Sequence, residues 1–184
     1  MSLALSFLKR YVLGIHAIPA VLASKSTVLL VLGLPQCGTD AVSAVLERCG
    51  AKGQSAGHLA QAQEKLLLEL GSGWDSPLEL PERCFKSSQA LQFENNLSEA
   101  LLQNTPDTCS MACLHGMERI LPLWQQALER NDFPYRHVLV VRHPLDVAEQ
   151  FRASHGWNRD HALLIWLQSN LAMEQHSAAH QRVV

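Results

Sequence analysis

Hydrophobic and polar positions change period several times along this chain, and each change marks an element. Thr27-Val-Leu-Leu-Val-Leu32 is a run of β-branched and leucine residues without alternation, the pattern of a strand covered on both faces of a parallel sheet. It stops at Gly33. After a turn over 33–38, Ala41, Val42, Ala44, Val45 and Leu46 recur at helical spacing as far as Gly50, a glycine placed to cap the helix end. Leu59, Leu66, Leu67 and Leu70 predict a helix over 54–70, halted by Gly71-Ser72-Gly73. Trp74-Asp75-Ser76-Pro77 reads as a turn, 87–103 as a helix ended ahead of Pro106, and 109–114 as a strand. A helix over 118–130 contains Pro122, which implies a late start or a kink. Arg136 to Val141 is a second strand rich in β-branched residues. A short helix over 145–152, a long one over 161–180 and the opening of a further strand at 181–184 complete the series. Phe151, Trp157, Trp166 and Leu171 read as helix core, and the charges between Gln61 and Glu69 as a solvated helix face.

Strands alternating with helices predict the α/β class, a parallel sheet flanked by helices whose ligands bind beyond the carboxyl ends of the strands. The 184 residues suit one domain. Residues 1–26 stand apart as an N-terminal helical extension. There Lys9 and Arg10 precede the apolar run Tyr11 to Ala23, as in a signal peptide, but His16 and Pro19 interrupt it, and it is too short for a transmembrane span. A peripheral helix lying on the domain or on a membrane surface is the plainer expectation.

Net charge is −2 and the pI near 6.5, so no global positive field holds nucleic acid, and any anion must be bound locally. The five cysteines lack the spacing of a zinc ligand set, so no metal is expected. Free thiols point to a reducing, cytoplasmic setting.

Local anion binding has a candidate. Gly33-Leu-Pro35-Gln36-Cys37-Gly38-Thr39-Asp40 carries G-x4-G between a strand and a helix, the context of a phosphate loop whose amides and helix dipole converge on an anion. Nucleoside triphosphatases place Lys and Ser/Thr where this chain has Thr39 and Asp40, which argues against ATP or GTP hydrolysis. The plain alternative is a tight turn. Arg142 leaves the end of the 136–141 strand just before a proline-led helix, facing the same rim, where a guanidinium can grip a phosphate. An ion pair with Asp146 is the alternative for Arg142, and Asp146 itself is expected to cap or stiffen the turn.

Taken together, Gly33 to Asp40 and Val141-Arg142-His-Pro144-Leu-Asp146-Val-Ala148 resemble the nucleotide-binding signatures of the sulfotransferase family, in particular its bacterial-type members. Gly71-Ser-Gly-Trp74-Asp75-Ser-Pro77, Leu121-Pro122-Leu123-Trp124 and Leu164-Ile-Trp166 resemble three further motifs in the same order. The resemblance implies the fold of P-loop-containing nucleoside triphosphate hydrolases over residues 27–184, with its C-terminal part expected to be missing. It also implies transfer of a sulfuryl group from 3′-phosphoadenosine 5′-phosphosulfate to a hydroxyl or amine on a small-molecule or glycan acceptor. By that resemblance Gly33, Pro35, Gln36, Cys37, Gly38, Thr39 and Asp40 surround the 5′-phosphosulfate, while Arg142 and the residue at Gln150 meet the 3′-phosphate.

Several positions depart from the pattern. Gln36 stands where the family has a cation, Cys37 and Gln150 where it has serines, and Cys113-Leu114-His115-Gly116 replaces its K-D-P-R segment. Arg48, Arg152, Arg159 and Lys25 are candidate substitutes for the missing cation. His115 is the candidate general base, with His58, His143, His155 and His161 as alternatives. Cys37 as a thiolate nucleophile is a lesser possibility. The departures leave a second reading open, a non-catalytic nucleotide-binding or interaction domain of the same fold, and a nucleotide-kinase-like reading ranks third.

Overall fold

The structure, a computed structural model, describes residues 27–53, 56–103, 109–177 and 182–183. The N-terminal extension and Lys25 lie outside them. The strands are β1 (Val28–Leu32), β2 (Lys52–Gly53), β3 (Ser110–Cys113), β4 (Tyr135–Leu139) and β5 (Arg182–Val183). The helices are α1 (Thr39–Arg48), α2 (Ala56–Glu69), α3 (Ser88–Gln103), α4 (Leu121–Arg130), α5 (Pro144–His155) and α6 (Arg159–His176), with 3-10 turns at Glu82–Lys86 and Met117–Ile120. All described strand pairs are parallel, in the order β2-β3-β1-β4-β5.

The unbroken apolar run of β1 has its explanation in this order: β1 is the middle strand and every one of its five residues is buried. Leu29 and Val31 face one way, against Leu46 of α1, Ala51, Met111 and Val138. Val28, Leu30 and Leu32 face the other way, into a larger core with α2, α3, α4 and Met173 of α6. Right-handed crossovers require this partition, because the β1-to-β2 connection runs opposite to all the others.

Pro122 has a simple outcome. The 3-10 turn Met117–Ile120 precedes the helix, and α4 begins at Leu121 with proline in its first turn, where the missing N–H removes no helical bond. The short edge strand β2 carries no sequence signal, since two residues show no period. At α5 the cap is His143, whose Nδ1 accepts from the Leu145 amide at 3.3 Å, and not Asp146. Among the described residues no helix is long and apolar enough to cross a membrane.

Candidate functional site

The chain leaves β1 in one direction and leaves its neighbour β3 in the other. The switch point therefore falls between their carboxyl ends, where loop 33–38 meets the segment 114–116. Gly33 is needed there for closeness: a Cβ on it would lie 2.7 Å from the Val140 carbonyl oxygen and 2.9 Å from Thr39 Cγ2. The loop then turns through Pro35 and Gln36, with the Cys37 amide donating to the Leu34 carbonyl at 3.1 Å. Gln36 has φ 72, a left-handed value more natural to glycine, as the third position of a type II turn demands. Gly38, at φ 98, precedes α1 without a side-chain cap. The amides of Gly38, Thr39 and Asp40 thus open the helix where no carbonyl lies one turn back, and the dipole adds positive potential at that point.

Arg142 comes to this loop from the far end of β4. Its Nη1 donates to the Gln36 carbonyl at 3.2 Å, while its Nε lies 3.8 Å from Asp146 Oδ2. The ion pair and the loop contact therefore coexist. The Trp166 indole donates to the Arg142 carbonyl at 3.0 Å, which ties the arginine's backbone to α6.

Other expected residues are more scattered. Thr39 is buried against Cys113 of β3, whose thiol is pushed up by burial and partly held back by the Ser43 and Thr39 hydroxyls. Cys37 is buried, and desolvation pushes its thiol up to about 11 despite backbone hydrogen bonds from Arg142 and Leu34. Burial therefore disfavours a thiolate at Cys37. Gln150 lies on the exposed side of α5. His115 is exposed just beyond β3, its carbonyl fixed by Gln63 Nε2 at 2.7 Å. Arg48 ends α1, one full helix away from the loop, and Arg152 is engaged by Glu149 at 2.5 Å. Among the described residues no group of three or more His, Cys, Asp or Glu is placed to hold a metal ion.

Two charged residues beneath the rim escaped the sequence reading. Glu118 is completely buried, its Oε1 accepting from Ser169 Oγ at 2.8 Å and its Oε2 without a hydrogen-bond partner among the described residues. Burial pushes its carboxyl up to about 7, and its charge is felt by the thiols of Cys37 and Cys113. Arg119, also buried, donates to the Ser76 carbonyl at 2.7 Å, to Ser72 Oγ at 2.9 Å and to the Leu78 carbonyl. Burial holds its guanidinium below the usual value, opposed by Glu118 and Asp75. Their signal in the sequence is a charged pair enclosed by Met117, Ile120 and Leu121, which a helix starting at 118 had disguised as its polar first turn.

No protein-family model matches the chain, and no curated protein does. Among solved structures it is similar to a gluconokinase from Sinorhizobium meliloti 1021, with a TM-score of 0.51 and 14% sequence identity over 86% of this chain and 81% of that one. At such identity the likeness speaks for architecture alone, and the architecture is the P-loop NTPase-like α/β fold.

Proposed function

We propose that loop 33–40 binds the phosphosulfate or phosphate of an adenine nucleotide, and that the chain is a sulfotransferase-like protein using 3′-phosphoadenosine 5′-phosphosulfate. The observation that carries this reading is the Arg142 guanidinium reaching the Gln36 carbonyl at 3.2 Å, because it joins a cation to a glycine loop that has none of its own. The amides of Gly38, Thr39 and Asp40 would hold the 5′ group, and Arg142 would hold the 3′-phosphate with Gln150 as its neighbour. In-line transfer breaks the sulfur–oxygen bond to the nucleotide phosphate and forms one to the acceptor oxygen or nitrogen. The acceptor proton goes to His115, and amide dipoles stabilise the charge left on the phosphate.

Isothermal titration with adenosine 3′,5′-bisphosphate tests the reading. Saturable binding supports it, and no heat at millimolar ligand overturns it. Tighter binding of magnesium ATP would favour a kinase-like role, which Thr39 and Asp40 oppose by supplying no lysine for a terminal phosphate. The non-catalytic reading draws on one specific feature, the uncharged Gln36 at the loop crest. Gln36→Arg separates the two: a gain in sulfuryl transfer of about a hundredfold marks a weakened enzyme, and no gain in a folded variant marks a binding module.

A further inference from the structure

Helix α6 carries an apolar stripe on each side, and the described residues cover only one of them. The inner side, with Ala162, Ile165, Ser169, Ala172 and Met173, is buried. The outer side runs Asp160, Leu164, Leu167, Leu171, Glu174 at intervals of four and three residues, the spacing of a seam that receives a second helix. Its three leucines are 54%, 48% and 45% exposed, so Leu171, expected in a helix core, faces outward. Leucines scattered singly on a surface need no partner, but three aligned at this spacing form a docking surface.

Charge separates the possible occupants. The stripe ends in Asp160 and Glu174, both exposed. A second copy of α6 would set acid against acid, Asp160 on Asp160 in parallel order and Asp160 on Glu174 in antiparallel order, which disfavours self-pairing. An anionic membrane surface is repelled in the same way. The chain itself holds a fitting segment. Residues 1–26 lie outside the described residues, but their sequence sets Leu5, Leu8, Val12 and Ile15 at intervals of three, four and three, matching Leu164, Leu167, Leu171 and Glu174. The charged side chains of that segment are Lys9, Arg10 and Lys25, without an acid, so it complements a stripe bounded by carboxylates.

Length and direction agree as well. α6 passes the carboxyl rim of the sheet where Trp166 meets the Arg142 carbonyl. It then runs back until Met173 shares a core with Val28 and Tyr135, at the amino ends of β1 and β4. The stripe from Asp160 to Glu174 is about 21 Å long, and residues 3–18 in helical form measure about 24 Å. Pro19 disfavours helix in the residue before it. The remaining residues 19–26 can span about 26 Å and lead into β1 at the amino edge, the edge toward which α6 points.

We propose that residues 3–18 of this chain lie along the outer side of α6 in the same direction, with Leu5, Leu8 and Val12 against Leu164, Leu167 and Leu171. The contact is independent of what loop 33–40 binds. It braces the helix that holds the Arg142 carbonyl through Trp166 and Glu118 through Ser169.

A double-mutant cycle on the full chain tests the contact. Glutamine is a good helix former and is nearly neutral at an exposed helical position. Leu8→Gln and Leu167→Gln should each lower the urea midpoint by about 0.5 M, and the double variant should fall no further than either alone. Additive losses, or no loss from Leu8→Gln, would overturn the proposal. A cross-link gives a second readout that needs no unfolding. Leu8→Cys with Leu167→Cys should form an 8–167 disulfide within one chain on mild oxidation, mapped by peptide mass, whereas Leu8→Cys with Val45→Cys, on exposed α1, should not. Equal yields in the two pairs, or 167–167 bridges between chains, would overturn it, the latter in favour of a second copy. Cosedimentation with phosphatidylglycerol vesicles that Leu8→Gln abolishes and Leu167→Gln leaves intact would overturn it in favour of a membrane seat.

Discussion

The two faces of the sheet are built to different depths. On one, α1 alone among the described helices covers β1 and β3, its outer side open enough that Val45 is 57% exposed. On the other, α2, α3, α4 and α6 enclose a core with Trp124, Leu97, Leu121 and Leu123 at its centre, and this face also encloses Glu94, Glu118, Arg119 and Ser169. The glycine loop 33–38 belongs to the thin side, as the lead-in to α1, while the arginine that touches it and the residues beneath it are fixed by the thick one. Rigidity is thus supplied by one face and access by the other.

Truncation of the central indole should show the contrast most strongly. Trp124→Ala removes the largest fully buried side chain among the described residues and leaves Gln63 Oε1 without its donor, a loss of about 3 to 5 kcal/mol. Leu46→Ala, on the thin face, should fall near the lower end of the range of about 2 to 5 kcal/mol for such truncations, since α1 can settle onto the sheet. Urea unfolding of the two variants compares them, and equal losses would show that the faces are energetically alike.

A second effect belongs to the thick face alone. Glu118 binds its proton more tightly folded, near 7, than unfolded, near 4.5. Its contribution is complete below the unfolded value and is lost as pH rises through about 7, a total of about 3 kcal/mol. Glu118→Gln should remove this slope. The variant should gain on the wild type between pH 5 and 8, keeping an amide oxygen for Ser169 to bond, and urea midpoints across that range measure the difference. A constant offset would place the carboxyl's titration outside this window.

How far the sequence disclosed this arrangement depends on the kind of signal each part leaves. The β1 run, the glycine loop and the proline-led α5 were legible because burial on both faces, close backbone approach and fixed φ each restrict residue type at one position. Arg142 was legible by its place after a strand, although its simultaneous contacts with Gln36 and Asp146 depend on side-chain reach that no spacing encodes. Glu118 and Arg119 were hidden because a charged residue in a short apolar turn looks the same in sequence whether it points to water or to Ser169 and Ser72. Trp157, expected in a helix core, is half-buried in the turn before α6 for a related reason, since composition does not say how much of a ring stays wet.

The loop's grip should respond to a smaller change. Arg142→Gln removes a charge-assisted contact from a half-exposed site and should weaken adenosine 3′,5′-bisphosphate about tenfold with little change in stability. Arg152→Gln, on the exposed outer surface of α5 and paired among the described residues only with Glu149 within one helical turn, should leave both affinity and stability unchanged. Equal losses in the two variants would mean that a diffuse field, and not the contact at the loop, holds the anion.

The smallest expected effect bears on the loop itself. Gln36 holds φ 72 at a cost of about 1 kcal/mol relative to a residue free of Cβ, and the surrounding turn enforces it because the Cys37 amide must close on Leu34. Gln36→Gly relieves that strain but adds freedom to the unfolded chain worth about 0.5 to 1 kcal/mol, so the net stability change should be within about 0.5 kcal/mol. Bisphosphate affinity should also hold, because the amides at 38–40 and the Gln36 carbonyl that Arg142 touches are backbone groups the substitution retains. A large loss of affinity with unchanged stability would instead assign the Gln36 side chain to the anion, making the loop crest a ligand and not merely a bend on the thin face.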